Sequence, residues 1–178
     1  MPRLIVLDRD GVINHDSDEY IKHPDEWHPI EGSPEAIARL CKAGWRTVVA
    51  TNQSGIARGL YDLPTLGAIH SKMNAAIDRA GGHIDAVFFC PHGPDASCAC
   101  RKPRPGMLQE IIERYQCGVE DVVFVGDQMR DFLAAQAIGC RFVLVLTGKG
   151  SMTAQNPALS PQTEIFPDLA AVAEALAP

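Results

Sequence analysis

Long apolar runs are missing from this sequence. The longest, such as Phe142 to Leu146 and Leu4 to Leu7, have the length of a strand and are far too short to cross a bilayer. A basic start followed by an apolar stretch and a small-residue cleavage site is also missing, so no secretory signal is expected. Positive charge is in deficit: 16 Lys and Arg stand against 22 Asp and Glu, for a net charge of −6. That argues against a general nucleic-acid binder, whose affinity depends on a basic surface. It leaves room for a small anion in a locally basic pocket. Nor does the sequence show an internal repeat, a low-complexity tract or an interdomain linker. A disulfide framework is absent too, because such scaffolds spread cysteines through a shorter chain. Of the six cysteines among 178 residues, Cys90, Cys98 and Cys100 fall close together with His92 among them, whereas Cys41, Cys117 and Cys140 are scattered. These absences point to a cytoplasmic, reducing setting, with neither membrane nor nucleic acid as partner. The three scattered thiols read as small buried hydrophobes near helix ends.

What is present is an alternation of short apolar strands and amphipathic helices. Strands are expected at residues 3–8, 46–50, 84–89, 121–125 and 141–146, and helices at 33–43, 62–80, 105–116, 131–138 and 168–177. Ser33 is placed to cap the first helix with Pro34 in its first turn, and Asp62 to open the second. Residues 148–161 read as loop. The implied fold class is α/β, a doubly wound, mostly parallel sheet with helices on both faces. One domain over residues 1–178 is expected. Residues 11–32 have no clear period and are too many for a simple connection, which suggests a functional flap.

Ligands of such sheets bind beyond the carboxyl ends of the strands, and the polar clusters fall there. Asp8-Arg9-Asp10-Gly11 follows the first strand and Thr51-Asn52-Gln53-Ser54 the second. Arg101-Lys102 comes after the third, and Gly126-Asp127 with Asp131 four residues on follows the fourth. Asp8, Asp10 and Asp127 would repel one another without a cation. Few, hard oxygen ligands suit Mg²⁺, which also binds phosphate oxygen. Thr51 offers a hydroxyl donor and Lys102 a point charge, which completes a toolkit for a phosphoryl group. For Asp131 a helix N-cap is the simpler expectation.

Cys90-x-His92-x₅-Cys98-x-Cys100 supplies three soft ligands and an imidazole, enough for a closed tetrahedral Zn²⁺ site of structural type. It would staple the loop 90–102 and hold Arg101 and Lys102 over the sheet edge. The other histidines, His15, His23, His28, His70 and His83, show no ligand spacing and read as surface or flap residues. Trp27 and Trp45 read as packing residues.

Asp8-Arg9-Asp10-Gly11-Val12, Thr51-Asn52, Lys102 and Gly126-Asp127-x₃-Asp131 together resemble the four motifs of the haloacid-dehalogenase superfamily of phosphatases, in family order and across most of the chain. The resemblance implies that Asp8 is the nucleophile and becomes an aspartyl-phosphate. It makes Asp10 the general acid and base. Mg²⁺ would be held by Asp8, the Asp10 backbone carbonyl and Asp127, and Thr51 and Lys102 would stabilise the phosphoryl group. No large cap domain fits in the chain, so the flap and the cysteine loop would close the site. The stretches Leu7–Asn14, Thr51–Gly59 and Cys100–Met107 resemble, within that superfamily, enzymes that remove one phosphate from a small-molecule sugar bisphosphate. That implies substrate contacts from Asp16, Asn52, Gln53, Ser54 and Arg101, the last pairing with the second phosphate or the sugar. A monomer is expected. Two departures stand out: the gap from His92 to Cys98 is short, and Gln128 follows Asp127 where a lysine or small residue is common. Histidinol-phosphate phosphatase is the nearest alternative. An aspartate-phosphorylated receiver module and a zinc-binding interaction protein are alternatives of other classes.

Overall fold

A computed structural model describes residues 3–178. Six parallel strands form one sheet: β1 (Leu4–Leu7), β2 (Arg46–Asn52), β3 (Ala86–Cys90), β4 (Val122–Gly126), β5 (Arg141–Val145) and β6 (Glu164–Phe166), in the spatial order β3-β2-β1-β4-β5-β6. The helices between them are α1 (Ser33–Lys42), α2 (Leu63–Arg79), α3 (Gly106–Tyr115), α4 (Met129–Ile138), the short α5 (Gly150–Thr153) and α6 (Leu169–Leu176).

Strand side chains alternate between the two faces, and each face builds its own core. Ile5, Leu7, Val49, Val123 and Val125 pack with Ile37 and Leu40 of α1, Ile69 and Met73 of α2, and Leu169 and Val172 of α6. Leu4, Val6, Val48, Val122 and Phe124 pack on the other side with Met107, Leu108 and Ile111 of α3 and Phe132, Ala134 and Ala135 of α4. Trp27 and Trp45 are buried in the first core, as expected of packing residues.

The chain runs outward from β1 to β3, then returns to place β4 on the other side of β1. The crevice above the β1–β4 junction is therefore the topological switch point where ligands of such sheets bind.

Three expectations are corrected. Ser33 is the first helical residue and Gly32, with φ of +81°, is the cap; the Ser33 hydroxyl donates to the Val12 carbonyl at 3.0 Å and so ties α1 to the flap. Residues 148–161 contain α5. A sixth strand follows at Glu164–Phe166, fixed to β5 by a forked pair from Arg141 to Glu164 with both contacts at 2.7 Å.

The flap has a folded base. Val12, Ile13 and Asn14 donate their backbone N–H groups to the Arg9 carbonyl, and His15 and Ile30 pair backbone to backbone with His28 and Ile13. Val12, Ile13, Ile21, Trp27 and Ile30 are buried. No helix among the described residues is long and apolar enough to cross a membrane.

Candidate active site

Asp8 follows β1 and Asp127 follows β4, so the sheet places them side by side. The Asp8, Asp127 and Asp131 carboxylates converge, with one oxygen of each within 4.8 Å of the others, and all three residues are buried. Lys102 reaches into this group from the end of the cysteine loop. Its ammonium lies 3.0 Å from Asp8, 2.7 Å from Asp131 and 2.8 Å from the Ala50 carbonyl, and its side chain is fully buried. Burial alone would push its proton off, but Asp131 and Asp8 hold its pKa above the ordinary value.

Lys102, with Arg130 acting from further off, does not balance three buried carboxylates. Asp8 is pushed up to about 7, first by burial and then by Asp131. Asp127 is pushed up to about 8, by burial and then by Asp8 and Asp131. Asp8 Oδ2 and Asp127 Oδ1 are buried without any hydrogen-bond partner. Orphaned carboxylate oxygens are costly and call for an ion. Converging carboxylates that each keep a partnerless oxygen fit a hard divalent cation. Asp127 is held by its neighbours: the Lys149 N–H donates to its Oδ2 at 2.8 Å, and the Thr153 hydroxyl donates to its carbonyl at 2.7 Å. Gly11 and Gly148, at φ of +86° and +58°, press against it, and a Cβ at either would fall 2.2–2.3 Å from Asp127 Oδ2. The tight turn that admits this approach needs glycine at both positions.

Asp131 is not the cap of α4. It sits in the first turn, with Gln128 at the cap, and its Oδ2 accepts from the backbone N–H groups of Asp127 at 3.3 Å and Gln128 at 3.1 Å. It thereby fixes the Asp127 loop and anchors Lys102 together.

Asp10 has turned away from this cluster, because the chain leaves β1 at Leu7 and bends at Gly11. Its carboxylate is saturated with donors. Arg9 donates from Nε at 3.0 Å to Oδ1 and from Nη2 at 3.2 Å to Oδ2, Asn14 donates at 2.9 Å and Gln53 at 3.2 Å. Burial works to raise the Asp10 pKa, but the Arg9 charge and these hydrogen bonds outweigh it and hold it below the ordinary value.

Thr51 and Gln53 extend this network. Gln53 donates to the Thr51 hydroxyl at 2.9 Å, which leaves the hydroxyl proton of Thr51 free to donate elsewhere. The Tyr61 hydroxyl donates to Gln53 Oε1 at 2.5 Å and so fixes which way the amide faces. Asn52 uses both amide groups on the backbone of Lys102, donating at 3.0 Å and accepting at 3.1 Å.

Above these groups lies a cavity of about 230 Å³. Asp10, Asn52, Gln53 and Ser54 line its floor; Asp16, Ser17, Asp18 and Tyr20 of the flap tip line one wall; Arg58, Arg101, Arg130 and Lys149 bring positive charge to the rest. Lys149 meets Asp18 at 2.5 Å and Arg58 lies over the Tyr20 ring, so the flap tip is held from two sides.

The comparisons with known proteins follow this geometry. Residues 99–172 match the HAD-hydrolase-like family. The chain is 56% identical, over 98% of its length and 99% of the relative's, to the D-glycero-beta-D-manno-heptose-1,7-bisphosphate 7-phosphatase of Pseudomonas putida. Its counterpart in Bordetella bronchiseptica is 55% identical over 98% of this chain and 97% of that protein. A crystal structure of the D,D-heptose 1,7-bisphosphate phosphatase from B. bronchiseptica, complexed with magnesium and phosphate, superposes with a TM-score of 0.95 over 98% of this chain and 97% of that one. The chain belongs to the D-glycero-β-D-manno-heptose-1,7-bisphosphate 7-phosphatase family.

In this member of the family the cysteine loop is folded around its four ligand atoms. Cys90 Sγ lies 3.4 Å from His92 Nδ1 and 3.8 Å from Cys98 Sγ, and Cys100 Sγ lies 3.3 Å from His92 Nδ1. A zinc tetrahedron with bonds of ~2.3 Å has edges of about 3.8 Å, so the four residues can hold a structural metal ion such as zinc. Arg104 reinforces the loop by donating to the carbonyls of Cys98 and Ala96, and Arg101 donates to the His92 carbonyl at 3.3 Å.

Sequence reasoning missed several residues that this site uses. Arg58 lies inside the Thr51–Gly59 stretch but was given no role of its own, and Arg130 and Lys149 carry no motif signal beyond being cations near strand ends. Tyr61 lies one residue before the Asp62 cap and had no visible task. His70 is the clearest correction, because it is neither a surface nor a flap residue: it stands on α2, half-buried, with Nε2 3.2 Å from Arg9 Nη1. Its spacing, four after Leu66 and three before Met73, puts it at the border of the buried stripe and was the available signal.

Proposed function

We propose that this chain hydrolyses the C7 phosphate of D-glycero-β-D-manno-heptose 1,7-bisphosphate through an aspartyl-phosphate on Asp8. The observation that carries this is the pair of buried, partnerless oxygens of Asp8 and Asp127, whose neighbours Asp10, Gln128 and Lys149 line a cavity with four cationic side chains. It occurs on a chain 56% identical over nearly its whole length to a protein of that name. The relatives' names specify the β anomer, which the sequence by itself leaves open.

Asp8, Asp127 and the Asp10 carbonyl would hold magnesium, which when bound neutralises charge on the transferring phosphoryl group. The Asp8 carboxylate attacks phosphorus as the bond from phosphorus to the C7 oxygen breaks. Thr51, through its free hydroxyl proton, and Lys102, through its ammonium, bind the phosphoryl oxygens. Asp10 donates a proton to the leaving oxygen and then takes one from the water that hydrolyses the acyl phosphate. The donors around Asp10 keep it ionised in the free enzyme. The charge of the entering substrate raises its proton affinity, and Asp10 takes up a proton from solvent before it serves as the acid. The 1-phosphate faces Arg101 and Arg130, whose planar forks suit it, with Asp16 and Ser54 contacting the sugar. The cysteine loop with zinc presets Arg101 and Lys102, which lowers the ordering cost of binding. The enzyme works as a cytoplasmic monomer and releases a sugar 1-phosphate fit for attachment to a nucleotide.

The test is kcat/KM with Mg²⁺ for the β and α anomers of the bisphosphate and for histidinol phosphate. A preference for the β anomer of about a hundredfold, or ~2.7 kcal/mol in transition-state binding, is expected. A preference for histidinol phosphate would overturn the substrate assignment.

A further inference from the structure

The structure assigns His70 of α2 as a positioning residue that holds the proton-transferring carboxylate of Asp10 in place through Arg9. This rests on the reading of Asp10 as general acid and base.

Arg9 is fully buried between its neighbour in sequence and a helix 61 residues away. Its Nε and Nη2 form a fork onto the two oxygens of Asp10. A fork of this kind sets the plane of a carboxylate, but only if the guanidinium itself cannot turn. The third edge of the guanidinium, Nη1, points away from Asp10 and meets His70 Nε2 at 3.2 Å. Arginine can only donate. His70 must therefore accept at Nε2 and carry its proton on Nδ1. The tautomer is thus dictated by the partner, as it is where a second residue orients a catalytic group. Burial and the Arg9 charge keep the imidazole neutral, with its pKa down to about 3. The acceptor is therefore present throughout the working pH range.

The opposite side of Asp10 has a matching device, in which Tyr61 orients Gln53 and Gln53 donates to Asp10 Oδ2. Asp10 is thus gripped from both sides by groups whose own orientation is set one residue further out. A leucine in place of His70 would keep much of the packing volume on α2 but leave Nη1 without an acceptor and free the fork to rotate.

The test separates proton delivery from general damage. kcat/KM reports the steps up to formation of the aspartyl-phosphate. A sugar phosphate needs its leaving oxygen protonated, whereas p-nitrophenyl phosphate does not. For His70→Leu, kcat/KM on the heptose bisphosphate is expected to fall about 10- to 100-fold, and on p-nitrophenyl phosphate by less than about threefold. His70→Gln, whose side-chain oxygen can accept from Arg9, should recover most of the loss. Equal loss on both substrates, or no difference between Leu and Gln, overturns the inference. Asp10→Asn is the reference. If it is selective and His70→Leu is not, only the role of His70 falls; if Asp10→Asn itself loses both substrates equally, the acid assignment falls and this inference with it. ¹⁵N NMR of the wild-type imidazole gives a readout independent of whether the variants fold. An unprotonated Nε2 at pH 7 is expected, and a proton found on Nε2 overturns the inference.

Discussion

Asp8 and Asp10 lie two residues apart in opposite surroundings. The region at the β1–β4 junction gathers Asp8, Asp127 and Asp131, pairs a lysine with only two of them and leaves an oxygen of Asp8 and one of Asp127 without partners. The region under the flap gives Asp10 alone an arginine fork and two amide donors. The first region is short of positive charge and is pushed toward protonation; the second is saturated and pushed toward ionisation. The difference teaches how one short motif supports two chemistries. A carboxylate meant to share a cation and attack is kept free of hydrogen bonds on one oxygen, and a carboxylate meant to move protons is held rigidly by donors.

Removing the nucleophile breaks the comparison hardest. Asp8→Asn is expected to lower turnover by at least ~10⁴-fold. Its melting temperature in magnesium-free buffer should equal or exceed that of the native protein, because one of three crowded charges is gone. Calorimetry beside the activity assay checks both, and a large loss of stability would contradict the crowding.

Lys102→Met comes next. It leaves Asp8 and Asp131 buried without their cation, at a cost of about 3–5 kcal/mol read by urea denaturation. It also removes a phosphoryl contact, with a fall in kcat/KM of ~10²-fold. A variant as stable as the native protein would show that the lysine does not balance the cluster.

The third effect is one of pH. Asp8 and Asp127 hold protons up to about 7 and about 8, against 3.8 for an ordinary carboxyl group. The folded state then binds more protons than the unfolded one across that window, and metal-free stability falls as pH rises through it. His70, held down to about 3 against an ordinary 6.5, acts with the opposite sign below pH 6.5. Between pH 6.5 and 8 His70 no longer contributes, but the Cys98 thiol, held down to about 6 against an ordinary 9, opposes the carboxylates, so the magnesium-induced shift, in which the cysteine contribution cancels, is the quantity to read. Magnesium competes with the protons on these carboxylates, so the rise in melting temperature that it produces should grow over that window with the cysteine site kept loaded. A shift independent of pH would contradict the assignment of the cation to these groups.

Tyr61→Phe is the mildest. It removes the donor to Gln53 Oε1 and frees the amide to turn, at a cost of about 1 kcal/mol and a similar loss, ~3- to 10-fold, in kcat/KM. An unchanged rate would show that Gln53 needs no outer support.

Much of this was legible in the sequence where periodicity and chemistry coincide. The strands ending at Leu7, Asn52 and Gly126 read as apolar runs, and the polar residues just beyond them had to face one edge of the sheet. The cysteine ligands were legible because four of them fall in one loop. β6 was not, since three residues carry no period and two of them are exposed. The true place of Asp131 was not legible because a cap and a first-turn position differ only by where Gln128 turns. The contact of His70 with Arg9 and the latch of Lys149 on Asp18 join residues 61 and 131 apart, and such pairs arise from packing that no local pattern records.

The most direct measurement is a rapid-quench single turnover with the β bisphosphate carrying ³²P at C7, followed by peptide mapping of the trapped protein. The account predicts label on the peptide that contains Asp8, at a carboxylate and not at a hydroxyl or imidazole, and none in Asp8→Asn. Label on another residue, or full turnover with no labelled protein, would contradict it.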